Sequence, residues 1–166
     1  MNTVAWIALA VSAGSACFAG VASWTSRERL RLDLYNRRFD VYSRTLDFYH
    51  ALLGWKPTEL EKATTSLQDS PELRTTQKAF IKASREAQFL FKDASGVKKQ
   101  LEQIHTDTIG IIGCLRDSLP RLNSAPERIL ASQQCDECWK RFHEAIPSLE
   151  EKMSEYLDFH ALLAWH

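Results

Sequence analysis

The stretch that decides the architecture is Thr3–Trp55, TVAWIALAVSAGSACFAGVASWTSRERLRLDLYNRRFDVYSRTLDFYHALLGW. Its first part, Thr3–Trp24, contains no Asp, Glu, Lys or Arg. As a helix it would rise about 33 Å at about 1.5 Å per residue, matching a bilayer hydrocarbon core of about 30 Å. Trp6 and Trp24 stand near its two ends, where indole rings favour the headgroup level. Only Met-Asn precedes the run, whereas Arg27, Arg29, Arg31, Arg37 and Arg38 follow it. The positive-inside rule then sets the N-terminus outside and the C-terminal part in the cytoplasm. The expectation is a transmembrane anchor over residues 1–24 and a cytoplasmic domain over residues 25–166. A cleaved signal peptide is the rival reading, since Ala16 and Ala19 would suit a peptidase, but the basic n-region of such peptides is missing.

Small residues recur at every fourth position of the run, at Ala8, Ser12, Ala16 and Gly20. A face of this kind lets two helix backbones approach closely, which points to self-association of the span and a homo-oligomer. The plainer alternative is that Ala and Gly merely make a weakly apolar anchor. No ionisable side chain lies within the run, so a charge-lined channel is not indicated.

Beyond Trp24 no Pro or Gly interrupts the chain until Gly54, so the anchor helix is expected to continue for some thirty residues. Leu32, Tyr35, Phe39, Tyr42, Leu46, Tyr49 and Leu53 alternate spacings of three and four, as one stripe of a helix does. Asp33 with Arg37 and Asp40 with Arg44 are acid-to-base pairs at i,i+4 in the favourable order. Thr58 with Glu61, Ser124 with Glu127 and Ser148 with Glu151 read as capping boxes, and Pro71 as a first-turn proline. Helices are therefore expected near 58–68, 71–92, 96–119, 125–146 and 148–164, with Pro147 breaking or kinking the last stretch. Val97, Leu101, Ile104, Thr108, Ile111 and Leu115 form one apolar stripe, and Phe142, Ile146, Leu149, Met153, Tyr156, His160 and Leu163 another. Strand-like alternation is absent. The fold class is all-α: a transmembrane helix running into an antiparallel bundle.

The whole is 166 residues with 21 Lys+Arg against 21 Asp+Glu, the length of a single domain without the basic excess of a nucleic-acid binder. Arg27, Arg29 and Arg31 lie directly beyond Trp24, where an anionic lipid surface is the nearest partner, at about 1 kcal/mol per basic residue. Cys135-Asp-Glu-Cys138 is the one pair of candidate metal ligands, but a structural zinc site needs four, with Cys114, His105 and His143 as the partners to consider. Reduced, structural cysteines are the plainer reading, because cytoplasmic placement disfavours stable disulfides. No nucleophile signature, HExxH, Walker A or GxGxxG motif occurs. The chain thus reads as non-enzymatic, without a cofactor.

Leu32–Tyr42 (LDLYNRRFDVY), Glu86–Phe91 (EAQFLF) and Tyr156–Phe159 (YLDF), together with the N-terminal span, resemble a loose group of small, uncharacterised bacterial single-span membrane proteins. The resemblance implies an inner-membrane helical protein and brings no activity to carry over. At these positions Phe39 and Tyr42 are expected to pack on Phe89 and Phe91, or to dock a partner. The leading function is a membrane-anchored interaction or adaptor protein that engages a cytoplasmic protein. A membrane-perturbing effector of toxin or anti-phage type, activated by clustering, is one alternative. A zinc- or thiol-dependent regulator acting through Cys135 and Cys138 is the other.

Overall fold

A computed structural model describes residues 3–56, 70–115 and 124–157, with side chains given from Ser12 onward apart from Ala13. Among the described residues the chain is all-α. The helices are α1 (Thr3–Gly54), α2 (Pro71–Leu90), α3 (Val97–Gly113) and α4 (Ala125–Leu157), with a 3-10 turn at Asp93–Ser95. By internal contacts the chain divides into two units, Met1–Arg37 and Arg38–His166. The expected helix near 58–68 and the Thr58–Glu61 cap lie outside the described residues, as do His160 and Leu163.

In the second unit each helix contributes one buried face to a single core. Val41, Phe48, Leu52 and the following Trp55 come from α1 and its end, and Leu73, Phe80, Ala83 and Ala87 from α2. Val97, Leu101, Ile104, Ile111 and Ile112 come from α3, and Phe142, Ala145, Ile146, Leu149 and Met153 from α4. The periodic stripes read for α3 and α4 are the faces that turn inward. On α1 the buried line is Val41, Thr45, Phe48 and Leu52, one residue out of phase with the expected one. Tyr42, Leu46 and Tyr49 flank the core, while Phe39 and Leu53 are exposed. Tyrosines at the flank serve both sides of that border: their rings lie on the core and their hydroxyls reach out, Tyr49 to His143 Nδ1 at 2.8 Å and Tyr42 to Glu150.

Helix ends follow local chemistry with two departures. Gly54 closes α1, and Pro71 opens α2 behind Ser70, whose hydroxyl accepts the Trp55 indole N–H at 2.9 Å. Gly96, at φ +71°, takes the left-handed turn between the 3-10 segment and α3, a conformation glycine adopts without a Cβ clash. The Glu127 backbone N–H donates to Ser124 Oγ, as a cap requires. Ser148 caps nothing: it lies within α4, and its hydroxyl donates to Gln100 Oε1 at 3.3 Å. The expected division into 125–146 and 148–164 is likewise replaced by one helix with Pro147 inside it. A proline there removes the hydrogen bond to the His143 carbonyl and costs about 3 kcal/mol in isolation. Burial of Ile146, Leu149 and Met153 around it, at roughly 1.5–3 kcal/mol each, offsets that cost.

The α3–α4 pairings fix direction and register. Gly96 faces Lys152, Gln100 binds Ser148 and Lys152, Asp107 meets Arg141, Gly110 faces Cys138, and Cys114 meets Ala131. Rising numbers on α3 meet falling numbers on α4, so the two helices are antiparallel. Among the described residues, each buried polar side chain has a hydrogen-bond partner. Thr45 and Thr108 donate to the carbonyls of Val41 and Ile104, each at 2.8 Å. Asp107, 1% exposed, accepts from Arg141 Nε at 2.9 Å and from Gln103 at 2.8 Å.

Tyr42 supplies a pH dependence. Burial, then the hydrogen bond to Glu150, push its hydroxyl pKa from 10 up to about 12. Between those values the folded chain holds more protons than the unfolded one, so stability falls as pH rises through that window. Tyr42→Phe is expected to flatten the loss of thermal stability between pH 10 and pH 12 relative to the native chain; identical slopes in melting scans would contradict it.

Candidate functional site: the uncovered apolar helix

Among the described residues the first unit contains no buried side chain. Every described side chain from Gly14 to Arg27 is exposed, including Phe18 at 81%, Val21 at 64% and Trp24 at 56%. Apolar side chains of this size forgo roughly 1.5–3 kcal/mol each by remaining in water. The polar groups at the end of the run are turned inward instead. Ser26 Oγ donates to the Ala22 carbonyl at 2.8 Å, and Thr25 Oγ1 to that of Val21. Back-bonded hydroxyls of this kind leave no donor demanding water. Among the described residues no helix is long and apolar enough to cross a membrane. The side chains at residues 3–11, including Trp6 and Ala8, are outside those residues, and Gly14–Trp24 alone rises only about 17 Å.

The basic flank is smaller than its sequence suggests. Arg31 is paired with Glu28 at 3.1 Å and Arg37 with Asp33 at 2.9 Å, both along the helix. Arg38 belongs to the bundle. Its Nε donates to the Leu90 carbonyl at 3.0 Å, closing the end of α2, and its guanidinium lies 4.8 Å from the Tyr156 ring centre and 5.8 Å from that of Phe91. Arg27 and Arg29 are exposed and, among the described residues, carry no ion pair.

The four aromatics expected to pack together separate into two pairs. Tyr42 and Phe91 join the core, Phe91 edge-on to Tyr156 at 5.3 Å. Phe39 is 49% exposed with its ring 6.4 Å from Tyr42, and Phe89 is 81% exposed. The inward face of α2 runs through Phe80, Ala83, Ala87 and on to Phe91. Phe89, two residues from Ala87, falls on the other side of the helix.

Cys135 and Cys138 are placed on different neighbours. Cys138 Sγ accepts from Arg141 Nη2 at 3.3 Å and presses on Gly110. Cys135 is buried, and burial above all pushes its thiol pKa up to about 11. His143 is taken by Tyr49 and stacks on Trp139, and His105 lies beside the Phe80 ring. No group of three His, Cys, Asp or Glu side chains able to hold a metal ion occurs among the described residues. Sequence reasoning missed the Asp107–Arg141 pair; an Asp directly before Thr108 on an apolar stripe was its one signal. Comparison with protein-family models, with curated proteins and with solved structures gives no match to this chain.

Proposed function

We propose that this chain is a non-enzymatic, membrane-anchored interaction protein. In this reading Thr3–Trp24 crosses a bacterial inner membrane with the N-terminus outside, and the bundle recruits a cytoplasmic protein. The observation that carries it is the uncharged Thr3–Trp24 run, whose described side chains are all exposed, whereas the described helices from Val41 onward close around a core. Back-bonding by Thr25 and Ser26, and the two unpaired arginines beyond Trp24, are what a helix leaving a bilayer toward an anionic surface needs. Ser12, Ala16 and Gly20 lie exposed, and a Cβ on Gly20 would meet nothing within 4 Å. That face, completed by Ala8, is the surface through which we propose a second copy associates. Phe89 and Phe39 are the exposed aromatics offered to the cytoplasmic partner.

Extraction of bacterial membranes with alkaline carbonate tests the anchor. The full chain is expected to stay with the lipid pellet. Ser12→Asp together with Ala16→Asp is expected to move it to the supernatant, since each mid-span carboxylate costs roughly 2.5–3.5 kcal/mol. A wild-type chain released by carbonate would end the proposal. Reporter fusions at each terminus read the orientation, with activity in the periplasm at residue 1 and in the cytoplasm at residue 166.

A further inference from the structure

We propose that Cys114 and Cys135 form an oxidisable pair that hydrogen peroxide closes into a disulfide between α3 and α4. The sequence draws the eye to Cys135 and Cys138, but the antiparallel register redistributes the three thiols. With Asp107 opposite Arg141 and Gly110 opposite Cys138, the next turn of α3 brings Cys114 against Ala131 and Cys135. Cys114 Sγ lies 3.9 Å from the Ala131 carbonyl, and Cys135 follows Ala131 by one helical turn on the α4 face that meets the end of α3. Cys138 is engaged elsewhere, wedged on Gly110 and holding the Arg141 guanidinium. All the cysteines are free thiols.

Exposure divides the roles. Cys114 is half-buried at the end of α3, whereas Cys135 is 4% exposed. Peroxide therefore meets Cys114 first. Its sulfur attacks one peroxide oxygen and the O–O bond breaks. The departing hydroxide takes up the thiol proton, leaving Cys114 as a sulfenic acid and one water. Cys135, kept protonated by its burial until this point, then attacks the Cys114 sulfur. Its proton leaves with the hydroxyl as a second water while the S–S bond forms. Two thiols lose two electrons and one peroxide becomes two waters. The product ties the C-terminal end of α3 to α4 within the core-forming unit, independently of how the N-terminal run is anchored.

The test uses the full chain in detergent, treated with hydrogen peroxide, blocked with N-ethylmaleimide and digested without reductant for mass spectrometry. A peptide joining Cys114 to Cys135, lighter by two hydrogens and dispersed by dithiothreitol, is expected. It should persist in Cys138→Ser and vanish in Cys114→Ser. A bond between Cys135 and Cys138, a bond through Cys17 to a second chain, or Cys114 left fully alkylated after treatment would each overturn the assignment. The wild-type chain alone gives this reading, so it does not depend on how well a variant folds.

Discussion

Phe48→Ala is expected to lower the unfolding free energy by about 3–5 kcal/mol, the usual cost of removing a fully buried phenylalanine. Phe48 is wholly inaccessible and lies stacked on Phe80, with ring centres 5.0 Å apart and planes inclined by 18°. Phe80 in turn sits 6.2 Å from the His105 ring, so one truncation opens a void where α1, α2 and α3 meet. The informative control is Leu53→Ala on the same helix. Leu53 belongs to the apolar stripe that its spacing marks, yet it is 45% exposed, and its loss is expected to cost within about 0.5 kcal/mol. Urea titrations of the two variants therefore distinguish the observed phase of α1 from the one the spacing suggests. Equal midpoints would mean that α1 does not pack through Phe48.

Gly110→Leu is the second large effect. A Cβ at this position would stand 2.8 Å from Cys138 Sγ, closer than side chains tolerate. Forcing a branched chain into that contact costs roughly 1–3 kcal/mol, against about 1 kcal/mol regained in helix propensity. The sulfur also has to leave Arg141, which holds Asp107, so the damage reaches a buried carboxylate. A net loss of stability is expected. Gly110→Ala in a Cys138→Ala background removes the sulfur, leaves the facing Cβ at 3.8 Å, and should keep the propensity gain. That double variant is expected to match or exceed the Cys138→Ala chain in thermal melts. If Gly110→Leu melted like the native protein, the close α3–α4 crossing described above would be wrong.

Much of this fold was legible because helical period and burial coincide. The stripe from Val97 to Ile111 and that from Phe142 to Met153 are clean, and the structure buries both. On α1 the spacing and the burial differ by one residue because tyrosine is apolar and polar at once: the rings of Tyr42 and Tyr49 fit the apolar stripe while their hydroxyls seek partners at the border. Ser148 with Glu151 imitated a helix start, helped by Pro147, because capping chemistry is local and cannot see that Ile146 and Leu149 carry one apolar face straight across it. Asp33–Arg37 and Asp40–Arg44 are ion pairs as expected, at 2.9 and 2.7 Å, since both partners lie on one helix. Pairings across helices were beyond reach for the opposite reason. Asp107 with Arg141, Gly110 with Cys138 and Cys114 with Ala131 depend on the register between α3 and α4, which no single segment encodes. The uncharged N-terminal run is visible from composition alone, whereas the division of the arginines that follow it into paired, bundled and unpaired sets requires side-chain geometry.

Pro147 has a consequence for how the bundle breathes. A helix unfolds from its ends as a chain of linked hydrogen bonds, and the missing link at the His143 carbonyl is a place where that propagation can stop. Fraying of α4 from Ala125 then has a place to halt before Leu149 and Met153, and the two sides of the proline are expected to differ in local stability. Native-state hydrogen exchange is expected to be faster in the exposed first turns after Ala125 than at Glu150–Ser154.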